Sequence, residues 1–351
     1  MEFREVISLL KRLIKTPSPS REESDVADII WAEFLRLGFR AQRKGNNVWA
    51  EAWEHDPKKP TILLDAHLDT VKPAAGWVRD PFTPSEEEGR LYGLGSNDTG
   101  ASLVSLIATF CRLAQSEQSY NLLCLASAEE EVTGAGGVRM VLEALPKIDF
   151  AIVGEPTQMH PAVAERGLMV LDCVAKGVSG HAAREEGVNA IYQAMQDIEW
   201  FRSYTFPRIS PMLGAVKMSV TGIEAGTQHN VIPSECRFMV DVRVNECYRN
   251  EELLALVREQ VQSEVTPRST HLSSSFIAED HPAVKRLKDM GRVAFASPTM
   301  SNQAVMPFTT LKLGPGDSAR SHTADEYILL SEIEQALEIY YDLLDGLKIN
   351  S

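Results

Sequence analysis

"LLCLASAEEEVTG", residues 122–134, is an apolar run that stops on three adjacent glutamates, Glu129, Glu130 and Glu131. The Leu-rich part reads as a short strand buried on both faces, the kind found in parallel sheets. Three neighbouring carboxylates repel one another, and a short loop after a buried strand holds little water to screen them. The same texture repeats on either side. "PTILLDAHLDTV" (60–71) and "FAIVGEP" (150–156) are further buried strands, and "NNVWAEA" (46–52) is a shorter candidate. "ASLVSLIATFCRLA" (101–114) is a helix buried on most faces. Residues 3–15 and 22–37 also read as helices. The second is introduced by Ser20 with Glu23 three residues on, a capping-box pattern, and is ended by Gly38. Strands separated by helices indicate a mostly parallel α/β sheet.

After residue 163 the pattern changes. "LMVLDCVAKGV" (168–178) and "CRFMVDVRV" (236–244) alternate as half-exposed antiparallel strands do, with helix patterns near 187–203 and 249–264. From residue 276 the first texture returns: "HPAVKRLKDMG" as helix, "TTLKLGPG" as strand, and a last helix from Ser331 with Glu334 completing a second capping box. The chain therefore reads as an α/β domain, 1–163 and 276–351, interrupted by an inserted α+β domain, 164–275.

A net charge of −14 over 351 residues argues against nucleic acid or an anionic membrane surface as partner, and is compatible with divalent cations. The five cysteines are odd in number, scattered and never in a C-x-x-C, which points to reduced thiols in a cytoplasmic protein. "MEFREVISLLKRLIK" reads as an amphipathic helix rather than a signal peptide. No apolar run approaches the roughly 20 residues of a membrane span.

In open α/β sheets functional groups gather at the carboxyl ends of strands. "LLDAHLDTV" puts His67 and Asp69 there, both side chains pointing the same way. A metal-binding imidazole usually has its second nitrogen held by a carboxylate, and His-x-Asp supplies both halves. Taken alone, the pair fits a salt-bridged core histidine as well. Asp98 lies in the tight turn "GLGSNDTGAS", a place equally suited to a helix cap, and the glycine spacing is not that of a phosphate loop. Glu155 follows the third strand, and His322 sits in the polar loop "GPGDSARSHTADEYI". Together these are nitrogen and oxygen donors without sulfur, a set that suits zinc, cobalt or manganese in a catalytic site.

"HLDTV", "GLGSND", "EEE", "VGEPT", "GHAA", "NVIP" and "SHTADEYI" resemble, in order and approximate spacing, the dinuclear zinc deacylase and exopeptidase family. That family includes acetylornithine deacetylase, succinyl-diaminopimelate desuccinylase, carboxypeptidase G and the aminoacylases, and the resemblance covers nearly the whole chain. It implies two Zn2+, with Co2+ or Mn2+ as substitutes. His67 and Glu155 would serve one metal, Glu131 and His322 the other, and Asp98 would bridge them. Glu129 takes the acidic position of the family's acidic–Glu–Glu pattern, Glu130 that of the general base, and Asp69 that of the group orienting His67. His181 resembles a histidine that reaches the partner subunit's site to hold an oxyanion, Asn230 lies where the substrate pocket is shaped, and Arg243 matches an arginine that binds the substrate's α-carboxylate. The inserted domain would be a dimerisation lid, making the protein a homodimer. Two departures weaken substrate preference inherited from any one branch: Asp98-Thr99-Gly100-Ala101 replaces Asp-Met-Lys-Gly, and Asn302 sits where many relatives carry aspartate.

The activity implied is hydrolysis of the amide of an N-acyl-L-amino acid, N-acetyl-L-ornithine first, with a place in arginine biosynthesis. A succinyl group would need an extra cation, for which Arg184 or Arg166 are candidates. The alternatives are a succinyl-diaminopimelate desuccinylase, a dipeptidase of the same family, or a catalytically dead metal-stabilised binding protein. The intact Glu130 and Asp69 argue against the last, since neither is needed merely to hold metal.

Overall fold

Two strands buried along their whole length, Thr61–His67 and Asn121–Ser127, run parallel at the middle of the larger sheet, with Leu64 opposite Cys124 and His67 opposite Ser127. Phe150–Val153 and then Thr309–Lys312 extend the parallel row on the far side of Thr61–His67. The antiparallel hairpin Ala41–Lys44 and Asn47–Glu51 closes the near edge. The computed structural model describes residues 1–184 and 186–349. It divides into two units, one of Met1–Val163, Phe276–Phe295 and Ser301–Ser351, the other of Ala164–Ser275 and Ala296–Met300.

In the first unit the strands are apolar on both sides because each face of the sheet is covered. Helix Ala101–Leu113 is buried at every position except Arg112. Helix Leu330–Leu344 packs on it, and Tyr340 donates its hydroxyl proton to Leu313 O at 2.6 Å. Trp49, Leu63, Leu123, Val138, Val141 and Met306 form the other layer. Each such side chain contributes about 1.5–3 kcal/mol on burial. The exit and re-entry points of the chain lie side by side, with Ile277 N–H donating to Val163 O at 2.9 Å, so an insertion leaves this sheet unbroken.

The second unit has a four-stranded antiparallel sheet in the order Lys217–Ala225, Glu235–Val244, Gly167–Lys176, Glu264–Pro267. The two central strands alternate buried and half-exposed residues along nearly their whole length. Met169, Leu171, Phe238 and Val240 from the sheet meet Phe201, Leu253 and Val257 from helices Ala190–Ser203 and Asn250–Gln260. The fold is thus a mostly parallel α/β unit interrupted by an α+β unit.

Several sequence expectations need correction. The second helix starts at Ser24, not at residue 22, and its N-cap Glu23 makes no side-chain cap bond. Ser20 donates instead to the Asp69 carboxylate, and Glu23 accepts from Glu129 N–H. The last helix starts at Leu330, and the carboxylate reaching back to its N-cap amide is that of Glu332, on Leu329 N at 3.0 Å, rather than Glu334. The helix expected over 249–264 ends at Gln260, and Glu264–Pro267 pairs as a strand. Lys217–Ala225 was not anticipated as a strand: its alternation, Met218 and Val220 between Lys217, Ser219 and Thr221, is short, and its inward side chains are only partly buried at the sheet edge.

Candidate metal centre

His67 ends its strand and is 2% exposed. Its Nδ1 lies 2.8 Å from the Asp69 main-chain oxygen, which fixes a proton on Nδ1 and, in the neutral ring, leaves the lone pair on Nε2. The Asp69 carboxylate stands 3.6 Å from Nδ1 and is engaged elsewhere. Its Oδ1 accepts from Glu130 N–H at 3.0 Å, and its Oδ2 from Glu131 N–H at 3.2 Å and from Ser20 Oγ at 2.7 Å. Asp69 thus orients His67 through its carbonyl, while its side chain anchors the glutamate loop.

Asp98 offers its two oxygens in two directions. Oδ1 is 3.3 Å from His67 Nε2, and Oδ2 is 3.5 Å from His322 Nε2. Glu155 Oε1 and Glu130 Oε2 approach His67 Nε2 at 3.9 and 4.0 Å, and Glu131 Oε2 is 3.0 Å from His322 Nε2. Donor atoms of His67, Asp98 and Glu131 lie within 4.8 Å of one another, as do those of His67, Glu130 and Glu155. Six residues from five separate segments therefore converge, all within the first unit. Glu129 turns the other way. Its backbone is left-handed, φ 52°, and its carboxylate accepts from Gly136 N–H at 3.2 Å. A Cβ at Gly134 would lie 2.8 Å from Glu129 Cβ, and one at Gly136 2.8 Å from its Cδ, so both glycines make room for that side chain.

Four carboxylates crowd around two imidazoles, and the electrostatics show the strain of it. Burial, reinforced by the charges of Asp98 and Glu131, pushes Glu155 up to about 8. Burial likewise holds Glu130 well above, and Glu131 above, the ordinary glutamate value. His67 is held well above the usual imidazole value: burial opposes its charge, but the bond to Asp98 and the charges of Glu130, Asp69 and Glu155 prevail. Asp98 is half-buried; desolvation works to raise it, yet its bond to His67 prevails and lowers it. Buried carboxylates aimed at one another, with no thiolate among them, are the donor set that divalent cations neutralise. The residues fit such ions.

Glu326 escaped the sequence reading. This 2% exposed carboxylate accepts from Gly95, Asn97 and Asp98 N–H at 3.1, 2.8 and 2.9 Å, which sets the turn that presents Asp98. Its position inside "SHTADEYI" was visible, but its partners lie more than two hundred residues away. Burial pushes it up to about 8.

The other expected residues belong to the second unit. His181 is exposed on the two-residue strand Gly180–His181, paired with Val231–Ile232. Its Nδ1 accepts from Ala183 N–H at 3.1 Å, so Nε2 carries the proton in the neutral ring. Asn230 adjoins this ribbon, its carbonyl accepting from Ala182 N–H at 3.1 Å. Arg243 is bidentate to Asp241, at 2.8 and 3.0 Å, an engagement the sequence reading did not anticipate. Arg166, a candidate cation for a succinyl group, is spent on the carbonyls of Leu213 and Ala215. Arg184 is exposed in a short 3-10 turn.

An α/β sheet whose strand ends gather histidines and carboxylates is the ground plan of a metal-dependent hydrolase. Residues 63–346 match peptidase family M20/M25/M40, and the chain belongs to that family as one of its hydrolases. It is 29% identical over 305 residues, 81% of this chain and 79% of the relative, to an acetylornithine deacetylase of Proteus mirabilis (strain HI4320). It is 26% identical over 372 residues, 98% of each chain, to a succinyl-diaminopimelate desuccinylase of Xylella fastidiosa (strain 9a5c). Among solved structures, the YXEP protein of Bacillus subtilis, a dinuclear metal-binding peptidase from the M20 family, superimposes with a TM-score of 0.73 at 18% identity, covering 97% of each chain.

Proposed function

We propose that the protein is a dinuclear zinc amidohydrolase that removes the acyl group from an N-acyl-L-amino acid, with N-acetyl-L-ornithine as first candidate. The observation that carries this reading is Asp98, whose two oxygens face two different histidines, each accompanied by its own glutamate. His67 and Glu155 would hold one ion, Glu131 and His322 the other, and Asp98 both. Divalent cations bound there supply Lewis acidity and bring the pKa of water toward neutrality.

The protein's own groups do the rest. Glu130 lies beside this set without a histidine bond of its own, so its carboxylate is free to take a proton from the attacking water and return it to the departing amine. Burial, and after it the charges of Glu155, Glu131 and Asp98, raise its proton affinity, the direction a proton-accepting group needs. Asp69 holds Glu130 and Glu131 by their amides and His67 by its carbonyl. His181, with a proton on Nε2, would donate to the oxyanion from the partner protomer of a homodimer built on the inserted unit. One such donor is worth about 2.7–4 kcal/mol. Arg243 would take the substrate's α-carboxylate, exchanging Asp241 for it, and Asn230 would border the pocket.

The test is amine release by zinc-loaded protein from a matched panel: N-acetyl- and N-succinyl-ornithine, the citrulline counterparts, succinyl-diaminopimelate and a few dipeptides. Preference for an acyl-ornithine or acyl-citrulline supports the deacylase reading and names the acyl group. Preference for succinyl-diaminopimelate or for dipeptides replaces it with the desuccinylase or peptidase reading, and silence across the panel overturns hydrolysis of this substrate class.

A further inference from the structure

Four consecutive main-chain amides, those of Ala128, Glu129, Glu130 and Glu131, are each taken by a buried side chain. Asn47 Oδ1 accepts from Ala128 at 3.0 Å, Glu23 Oε1 from Glu129 at 3.2 Å, and the two Asp69 oxygens from Glu130 and Glu131. Asn47 also donates to Gly136 O at 2.6 Å, so it grips the loop at both ends. Glu23 and Asn47 are fully buried and Asp69 is 1% exposed. The three acceptors come from three elements: the turn before helix Ser24–Arg36, the edge hairpin, and the end of the central strand. Loops after strands ordinarily satisfy such amides with water or with their own turns.

We propose that Glu23 and Asn47 are positioning residues for the reaction, holding Glu130 and Glu131 at the metal centre through the main chain; this rests on the function proposed above. The backbone explains the need. Glu129 at φ 52° reverses the direction of its side chain relative to Glu130, a conformation a non-glycine residue keeps only where its surroundings enforce it. Without the clamp the three glutamates would relax to spread their charge. A buried carboxylate is also a costly way to fill space, and Glu23 keeps its place by accepting from Arg21 N–H at 2.6 Å and Asn46 Nδ2 at 2.9 Å besides Glu129. Ser20, on the same turn, completes the arrangement by donating to Asp69 Oδ2. The Ser20-x-x-Glu23 pattern thus serves the catalytic loop instead of capping a helix.

The experiment compares full-length wild type, Glu23→Ala, Glu23→Gln, Asn47→Ala and Ser20→Ala. Glu23→Ala removes every acceptor; Glu23→Gln keeps Oε1 for the Glu129 amide; Asn47→Ala removes the acceptor of the Ala128 amide and stands in should Glu23→Ala not fold; Ser20→Ala is a half-buried change that touches only the support of Asp69. Three readouts are taken: zinc affinity of the metal-stripped protein by titration with ZnCl2, hydrogen–deuterium exchange over residues 128–131, and kcat against KM on the best panel substrate. Glu23→Ala is expected to weaken zinc binding and lower kcat by about 10–100-fold, as losses of outer-shell support do. Its KM should stay within about twofold, with faster exchange over 128–131. Glu23→Gln should restore most of this, and Ser20→Ala should shift the same readouts less. Unchanged zinc affinity and exchange in Glu23→Ala, or in Asn47→Ala where the former does not fold, overturns the proposal. So does a KM-only effect. If the wild type hydrolyses nothing on the panel, the proposed function fails while zinc affinity and exchange still decide the positioning role.

Discussion

Glu129, Glu130 and Glu131 are alike in chemistry and adjacent in sequence, and the backbone separates them. One turns into a pocket made by Gly134 and Gly136, one stands beside His67 and one faces His322. That division predicts two different mutant phenotypes. Glu130→Gln removes the proton carrier but no expected ligand, so kcat should fall by about 10²–10⁴-fold with zinc content unchanged. Plasma emission on the purified variant beside a turnover assay reads both, and a variant with normal turnover ends the assignment. Gly134→Ala acts on the neighbour. Its methyl group would lie 2.8 Å from Glu129 Cβ, which moves only with the main chain, so the loop must shift, at a cost of about 1–3 kcal/mol in chemical denaturation. Activity should fall as well, because the displaced residues carry Glu130 with them. Stability loss with full activity would mean that Glu129 and Glu130 move independently.

At the scale of elements, the central strand is pinned from beneath by a buried polar contact. Asn302, opening a short 3-10 turn, donates to Asp65 Oδ2 at 3.0 Å and to Ser127 Oγ at 2.9 Å. Asp65 is fully buried, and burial raises it to about 6 against the pull of Ser127, Asn302 and His67. Aspartate at 302 would place two carboxylates in contact here. Asn302→Asp should therefore cost about 1–3 kcal/mol near pH 7.5, the range for a buried acceptor robbed of its donor. The deficit should shrink at pH 5, where one of the pair keeps a proton and can donate. Urea titrations at the two pH values check it; an equal loss at both would remove the charge argument. This also shows what was legible in the sequence. His67, Asp98, Glu131, Glu155 and His322 stand at strand ends and turns, so local pattern marked them as candidates, while their shared role came only from the family resemblance. Glu23, Asn47, Asp65 and Glu326 act through partners dozens to hundreds of residues away, which no local pattern encodes. The first capping box misled for a related reason: Ser20 and Glu23 match the spacing, but unpaired amides and carboxylates of the folded site competed for them and won.

For the whole molecule the consequence is a stability that depends on metal, and more so as pH rises. Without cations, folding must bury Glu155 in a form that keeps its proton up to about 8, whereas the unfolded chain releases it near 4.5. Between those values the native state binds more protons than the unfolded state, so the stability of the metal-free protein falls as pH increases. His67 adds to the trend, because its raised native pKa gives stability present below about 6.5 that is lost as pH passes the native value. Asp98, shifted down, contributes stability that is fully present above its ordinary 3.8 and is lost only as pH falls below it, so it adds no slope between pH 5.5 and 8. Cations reverse the balance: they need the deprotonated carboxylates, so they bind more tightly as pH rises and expel the protons the empty site would hold. Stabilisation grows as RT ln(1 + [M]/Kd), about 2.7 kcal/mol at a hundredfold excess over Kd. Chelation should then lower the unfolding midpoint by several degrees at pH 8, on the order of 5–10 °C, and by much less at pH 5.5. Paired thermal scans with ZnCl2 and with EDTA at the two pH values give the result directly. A chelation effect equal at both, or larger in acid, would mean that the ions are not held by the raised carboxylates of this site.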